Sequence, residues 1–120
     1  MSQYKHKGLT HLIKATQYSW QGLRYAARHE TAFRHELLAA IILIPLAFWI
    51  AQSAVELVLL IGSVLLVMLV EMLNSAVECA IDRIGLERHE LSGRGKDYGS
   101  AAVFIAMVIA VITWLAILIS

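Results

Sequence analysis

Leu57-Val-Leu-Leu-Ile-Gly-Ser-Val-Leu-Leu-Val-Met-Leu-Val70 runs without a charge into Glu71-Met-Leu-Asn-Ser-Ala-Val-Glu-Cys-Ala-Ile-Asp82. At about 100° per residue, Glu71, Asn74, Ser75, Glu78 and Asp82 fall on one side of a single helix. The apolar run before them reaches most of the way across a bilayer. A charged side chain there costs roughly 2.5–3.5 kcal/mol at the helix centre and less toward the headgroups. A row of acids, an amide and a hydroxyl at that depth therefore needs a function. Carboxylates with amides suit hard cations, phosphates or proton transfer, which points to chemistry at a membrane surface.

The rest of the composition agrees. Hydrophobic residues make up 59% of the 120, and the mean hydropathy is +0.69. A soluble domain of this length rarely carries so much apolar content, so the chain reads as one all-α integral membrane domain over residues 1–120. Its net charge of +1 conceals a segregation. Every Lys and Arg lies before residue 36 or between Arg83 and Lys96. Cys79 is the lone cysteine, so no disulfide can form within one chain. A secretory signal peptide is not expected, because the first long apolar run begins only at Leu37.

Working outward, three segments can span. The first covers about 32–51, its apolar core starting at Leu37, and contains Pro45, the only proline, which is expected to kink it. Gln52-Ser53 makes a tight turn. The second covers 54–83, with Gly85 as its stop. The third covers 97–119. Residues 8–28 form a helix of another kind, with Leu9, Leu12, Ile13, Thr16, Trp20, Leu23 and Ala27 on one side. Lys14, Gln17, Gln21, Arg24 and Arg28 lie mostly on the other, as in an amphipathic helix on the membrane surface. By the positive-inside rule the N-terminus and the Arg83–Lys96 loop are cytoplasmic and the C-terminus is outside.

This topology brings three polar groups to the cytoplasmic face. They are the Glu71–Asp82 stripe, Glu30-Thr-Ala-Phe-Arg-His-Glu36, and His89-Glu-Leu-Ser-Gly-Arg-Gly-Lys-Asp97. Acids beside Lys96, Arg94 and Arg34 suit a metal-bound polyphosphate. Known nucleotide motifs do not explain them. Gly93-Arg-Gly-Lys96 suggests a P-loop, but Glu90 stands where the first glycine belongs and Asp97 replaces the Ser/Thr. No His/Cys set has zinc spacing. Taken alone, Glu30 reads as an exposed acid and Asp82 as part of a solvated helix face.

The stretches Val70-Glu-Met-Leu-Asn-Ser-Ala-Val-Glu78, Asp82-Arg-Ile-Gly85, His89-Glu-Leu-Ser-Gly-Arg-Gly-Lys-Asp97 and Gly99-Ser-Ala-Ala102 closely resemble the prokaryotic integral-membrane diacylglycerol kinases. Ile13-Lys-Ala15, Tyr18-Ser-Trp20, Gly22-Leu-Arg24 and Ala32-Phe-Arg34 fit the same family, in order and spacing. The resemblance implies a homotrimer in the bacterial inner membrane, each subunit with a surface helix and three transmembrane helices, and with sites between subunits. It implies transfer of the γ-phosphoryl group of MgATP to diacylglycerol, giving phosphatidic acid, and no nucleic-acid partner.

Carried over by motif position, Glu71 is the expected general base. Glu30 and Glu78 are the expected Mg²⁺ ligands beside the triphosphate. Tyr18, Glu87, Arg88, His89, Lys96 and Asp97 are the expected nucleotide contacts. His11 stands where the family often has an arginine, so that contact would rest on a charge that varies near neutral pH. Asn74 and Ser100 would organise the site and the substrate. The lipid would lie among Ala15, Thr16, Ser19, Trp20 and Arg24 of the surface helix. Ala32, Phe33, Arg34 and Glu36, then Trp49 and Trp114, would complete its surroundings. Two alternatives stay open. An undecaprenol kinase would share the chemistry with another lipid alcohol, and a non-enzymatic subunit would use the stripe for cations alone. The Lys96-Asp97 segment and the basic surface helix argue against the second, since an ion site needs neither.

Overall fold

The computed structural model describes residues 7–87 and 89–120. Four helices account for nearly all of them: α1 (Gly8–His29), α2 (Thr31–Ile50), α3 (Ala54–Ile84) and α4 (Glu90–Ile119). The last three are long and apolar enough to cross a membrane. That is the structure which a backbone without access to water must adopt, since a helix satisfies its own N–H and C=O groups.

Each junction has a local cause. Glu30 is the single extended residue between α1 and α2, with φ −102° and ψ 110°. Its N–H closes α1 on the Ala26 carbonyl at 2.9 Å, and its carbonyl accepts the first bond of α2, from Arg34 N at 3.0 Å. Arg34 then reaches back, donating through Nη1 to the Arg28 carbonyl at 2.8 Å. The α1–α2 joint is thus clamped by a cation on the C-terminal carbonyls of α1, where the helix dipole favours it. Ser53 caps α3 by accepting from Glu56 N at 3.1 Å, and Glu56 Oε1 accepts from Gln52 N at 3.1 Å. This near-reciprocal cap turns the chain within Ala51–Ser53. At the other end Gly85 is the C-cap of α3, its N–H bonded to the Ile81 carbonyl.

α2 continues through Pro45, although proline has no N–H for the Ile41 carbonyl. One boundary needs correction. The helix that carries the third candidate span, expected to start at Asp97, begins at Glu90. His89 is the cause, since its Nδ1 accepts from Leu91 N at 3.1 Å and so caps the new first turn. A Glu90–Arg94 pair at 3.1 Å supports that turn at i, i+4 spacing. Gly93 and Gly95 weaken it by about 1 kcal/mol each but do not stop it. The polar loop read from the sequence is therefore largely the head of α4.

α3 is the central element, packed against α2 on one side and α4 on the other, while α1 packs on α2. The molecule is only 22 Å thick along its shortest axis, about two helix diameters. The core is correspondingly thin: Ala40 and Ala47 of α2, Leu60, Val64 and Val67 of α3, and Ala106 of α4 are buried. Small residues at helix contacts let backbones approach, which is how association gains energy when lipid is as apolar as the side chains. Trp114 Nε1 adds an interhelix bond, donating to the Leu60 carbonyl at 3.2 Å. Large apolar side chains such as Ile41, Phe48, Leu69, Phe104 and Ile112 face outward.

Because Ala47 has no exposed surface, Ala47→Leu should overpack the interior and lower stability by about 1–3 kcal/mol. Leu115, exposed on α4, should tolerate substitution by alanine with a smaller loss. Thermal unfolding of both variants in detergent micelles checks the contrast.

Candidate active site

The polar face of α3 opens into a cavity of about 430 Å³. Glu71, Asn74, Ser75 and Glu78 come from α3, Ser100, Val103, Phe104 and Met107 from α4, and Glu30 and Ala32 from the α1–α2 joint. The extended conformation of Glu30 turns the chain where α1 meets α2, and its side chain reaches the same cavity as Glu71 and Glu78. One chain therefore gathers three carboxylates, an amide and two hydroxyls.

Glu71 is 8% exposed, the one charged residue in the buried core among the described residues. The carboxyl group of Glu36 interacts with it from α2. Both Glu36 oxygens are buried without a formed hydrogen bond, as is Asn74 Oδ1. Two carboxyl groups in buried contact are accommodated by a proton shared between them, or by a donor or cation from outside the pair. Asn74 and the three glutamates line the cavity, which therefore has acceptor capacity that a hydroxyl, a metal or an ammonium group could take up.

A second cavity, of about 350 Å³, lies between the end of α3 and the head of α4. Asp82, Glu87, His89, Ser92 and Lys96 line it. Lys96 Nζ lies 2.9 Å from Asp82 Oδ1, both side chains about half exposed. The close approach of the helices here depends on small residues. A Cβ on Gly95 would stand 3.0 Å from Ile81 Cδ1. His89 serves as the cap of α4 as well as lining this cavity.

The remaining sequence-predicted residues are more scattered. Ser19 and Phe33 line a third, apolar cavity of about 450 Å³, together with Leu65, Met68, Leu69 and Met72. The Thr16 hydroxyl is bonded to its own helix, at the Leu12 carbonyl. Arg34 holds the α1–α2 joint. His11, Ala15, Tyr18, Trp20, Arg24 and Asp97 line none of these three cavities. Trp49, 85% exposed, and Trp114 stand near the far ends of their helices from Glu30 and Ser100. Arg88 lies outside the described residues. From the sequence Gly99 stands only as part of a motif, Met107 reads as core filler, and Val103 and Phe104 carry no assigned part. Their part depends on the rotation of α4 against α3, for which no local pattern exists.

Three helices able to cross a membrane and an acid-lined cavity along the C-terminal half of the central one describe a small multi-pass membrane protein with a polar face between its helices. Residues 17–118 match the family model described as prokaryotic diacylglycerol kinase, and the chain belongs to that family. A diacylglycerol kinase of Haemophilus influenzae is 62% identical over 111 residues, 92% of this chain and 94% of the relative. That of Escherichia coli strain K12 is 58% identical over 107 residues, 89% and 88% of the two chains. A Pseudomonas aeruginosa diacylglycerol kinase is 47% identical over 111 residues, 92% and 90%.

The Asp82–Lys96 pair is half exposed and screened by water and salt, so its contribution to stability should be small. Asp82→Asn should therefore leave the melting temperature nearly unchanged, as thermal unfolding in detergent micelles would show. A large loss of thermal stability would make the pair a structural tie instead.

Proposed function

We propose that this chain transfers the γ-phosphoryl group of ATP to the hydroxyl of diacylglycerol, giving phosphatidic acid, at the cytoplasmic face of a bacterial inner membrane. The observation that carries the reading is the buried Glu71 carboxylate, which shares one cavity with Glu30 and Glu78. A lipid hydroxyl at the headgroup boundary meets a carboxylate there, while the water-facing acids can attend the triphosphate.

In this reading Glu71 accepts the hydroxyl proton as the lipid oxygen bonds to the γ-phosphorus. The bond from that phosphorus to the bridging oxygen breaks, and ADP leaves. Glu30 and Glu78 would hold Mg²⁺ with the nucleotide. Such a pair fits the ion, which is usually bound by one or two carboxylates plus substrate phosphates rather than by an all-protein cage. When bound, it neutralises charge on the transferring phosphate. Lys96, Glu87 and His89 line the neighbouring cavity and would meet the rest of the nucleotide.

Charge segregation supports a cytoplasmic N-terminus and a periplasmic C-terminus. α1, carrying Lys14, Arg24 and Arg28 beside exposed Leu9, Leu12 and Trp20, suits an amphipathic helix at the headgroups. The large apolar side chains left facing outward on α3 and α4 suit both lipid and neighbouring subunits of a homotrimer. Undecaprenol is the competing acceptor, with the same chemistry at the phosphorus.

Radiolabelled ATP offered with diacylglycerol and undecaprenol in parallel micelles tests the reading. Label in phosphatidic acid supports it, and label in undecaprenyl phosphate alone replaces it. Glu71→Gln keeps the shape but cannot accept the proton, and should lower kcat by roughly 10²–10⁴ while the protein folds and binds MgATP. Near wild-type turnover in that variant would remove Glu71 from the role. Glu30→Gln and Glu78→Gln should each raise the Mg²⁺ concentration needed for half-maximal activity. Unchanged Mg²⁺ titrations in both would place the metal elsewhere.

A further inference from the structure

α4 passes close to α3 at Gly99. A Cβ built on that residue would overlap Asn74 Oδ1, and would stand 3.1 Å from Asn74 Cγ and 3.7 Å from its Cβ. The place a side chain would take is thus held by the amide oxygen of a residue in the carboxylate cavity. That oxygen is buried and has no hydrogen-bond partner. An orphaned buried acceptor costs about 1–3 kcal/mol and needs an explanation.

A planar amide can be turned two ways against the glycine. With its NH2 inward, two N–H donors would face a Cα methylene that offers no acceptor. With its oxygen inward, one acceptor meets the Cα hydrogens, a weak C–H···O contact, and both N–H groups are left for the cavity. The second arrangement strands fewer groups. It also suits its surroundings, because Glu30, Glu71 and Glu78 already fill that cavity with acceptors. A phosphoryl group arriving there would bring further anionic oxygens, which the donors of Asn74 could meet as charge develops.

We propose that Gly99 is a positioning residue for catalysis: its missing side chain admits the Asn74 oxygen between α3 and α4, so that Asn74 presents N–H donors to the reacting groups. The proposal rests on the phosphoryl-transfer reading above.

Gly99→Ala isolates the effect, because the nearest obstruction is the tip of a side chain with two rotatable bonds. The new methyl group would make ordinary contact with the Asn74 Cβ and push the amide aside, leaving the helices in place. Turnover with diacylglycerol and MgATP is measured in detergent micelles for wild type, Gly99→Ala, Asn74→Ala and the double variant, with thermal unfolding alongside. Gly99→Ala should lower kcat roughly tenfold to a hundredfold, the cost of a misplaced group. In the Asn74→Ala background the same change should cost less than about twofold, because its target has gone. An equal loss in both backgrounds would mean that Gly99 acts through general packing, and full activity in Gly99→Ala would mean that the clearance is unused; either overturns the proposal.

Asn74→Asp gives a second reading that does not depend on the glycine variant. It keeps the shape and the inward oxygen but has no N–H, so its loss should match that of Asn74→Ala. Near wild-type turnover would overturn the donor assignment. A wild type that phosphorylates no lipid alcohol overturns the kinase reading and this proposal together. An active wild type with the contrary variant results overturns this proposal alone.

Discussion

Placing the Glu71 carboxylate inside an apolar bundle is the constraint on which the other features depend. A charge there is tolerated only where the protein supplies room, polar company or a use for it. The structure supplies room by keeping α4 close but small-sided, with Gly95 and Gly99 one turn apart and Ser100 next to Gly99. Company comes from Asn74 and Glu78 one and two turns along α3, and from Glu30 at the joint of α1 and α2. The joint matters as much as the stripe. Without the single extended residue that ends one helix and starts the next, Glu30 would have no cause to reach α3.

Length explains how one helix serves two environments. At 31 residues α3 is longer than a bilayer core requires. The 17 residues from Ala54 to Val70 account for roughly 25 Å of rise. Glu71 thus sits at the margin of the hydrocarbon. Asp82 lies some 16 Å further along the axis, where it meets the head of α4. The two polar cavities follow this axis, the buried one around Glu71 and the open one around the Asp82–Lys96 pair. A lipid alcohol and a water-soluble nucleotide approach from opposite directions, so an ordered descent from water to hydrocarbon suits a reaction between them.

The spans of α2 and α3 were legible in the sequence because apolar runs and charge gaps are properties of the chain itself. The Ser53 and Gly85 boundaries were legible for the same reason, as each is a local capping preference. The start of α4 was not. Two glycines and four charged residues between Glu90 and Asp97 read as loop, whereas the His89 ring and the Glu90–Arg94 pair make them helical. Capping by histidine is uncommon enough that no spacing rule announces it. Within the candidate site, the α3 stripe follows from periodicity alone. Glu30 rose above an ordinary acid only through the family resemblance, and Arg34, expected near the lipid, is engaged in holding the joint. Gly99 stands in the sequence only as part of a motif, because its use lies in a distance to another helix.

The thinness of the molecule bears on how the site is completed. A body 22 Å across its shortest axis exposes both cavities on its flanks. Neither cavity has walls enough to exclude water from a phosphoryl transfer by itself, and closing off water strengthens every electrostatic interaction within such a site. The chain also leaves a broad apolar surface facing outward on α3 and α4, beside the polar stripe. Neighbouring copies packed on that surface would bury it and wall the cavities at the same time. In such a trimer the carboxylates of one site can still come from one chain, since Glu30, Glu71 and Glu78 already converge without a partner. The neighbour would then contribute enclosure and lipid-facing surface, and the exposed Trp49, remote from the carboxylates of its own chain, would be free to serve the acyl chains.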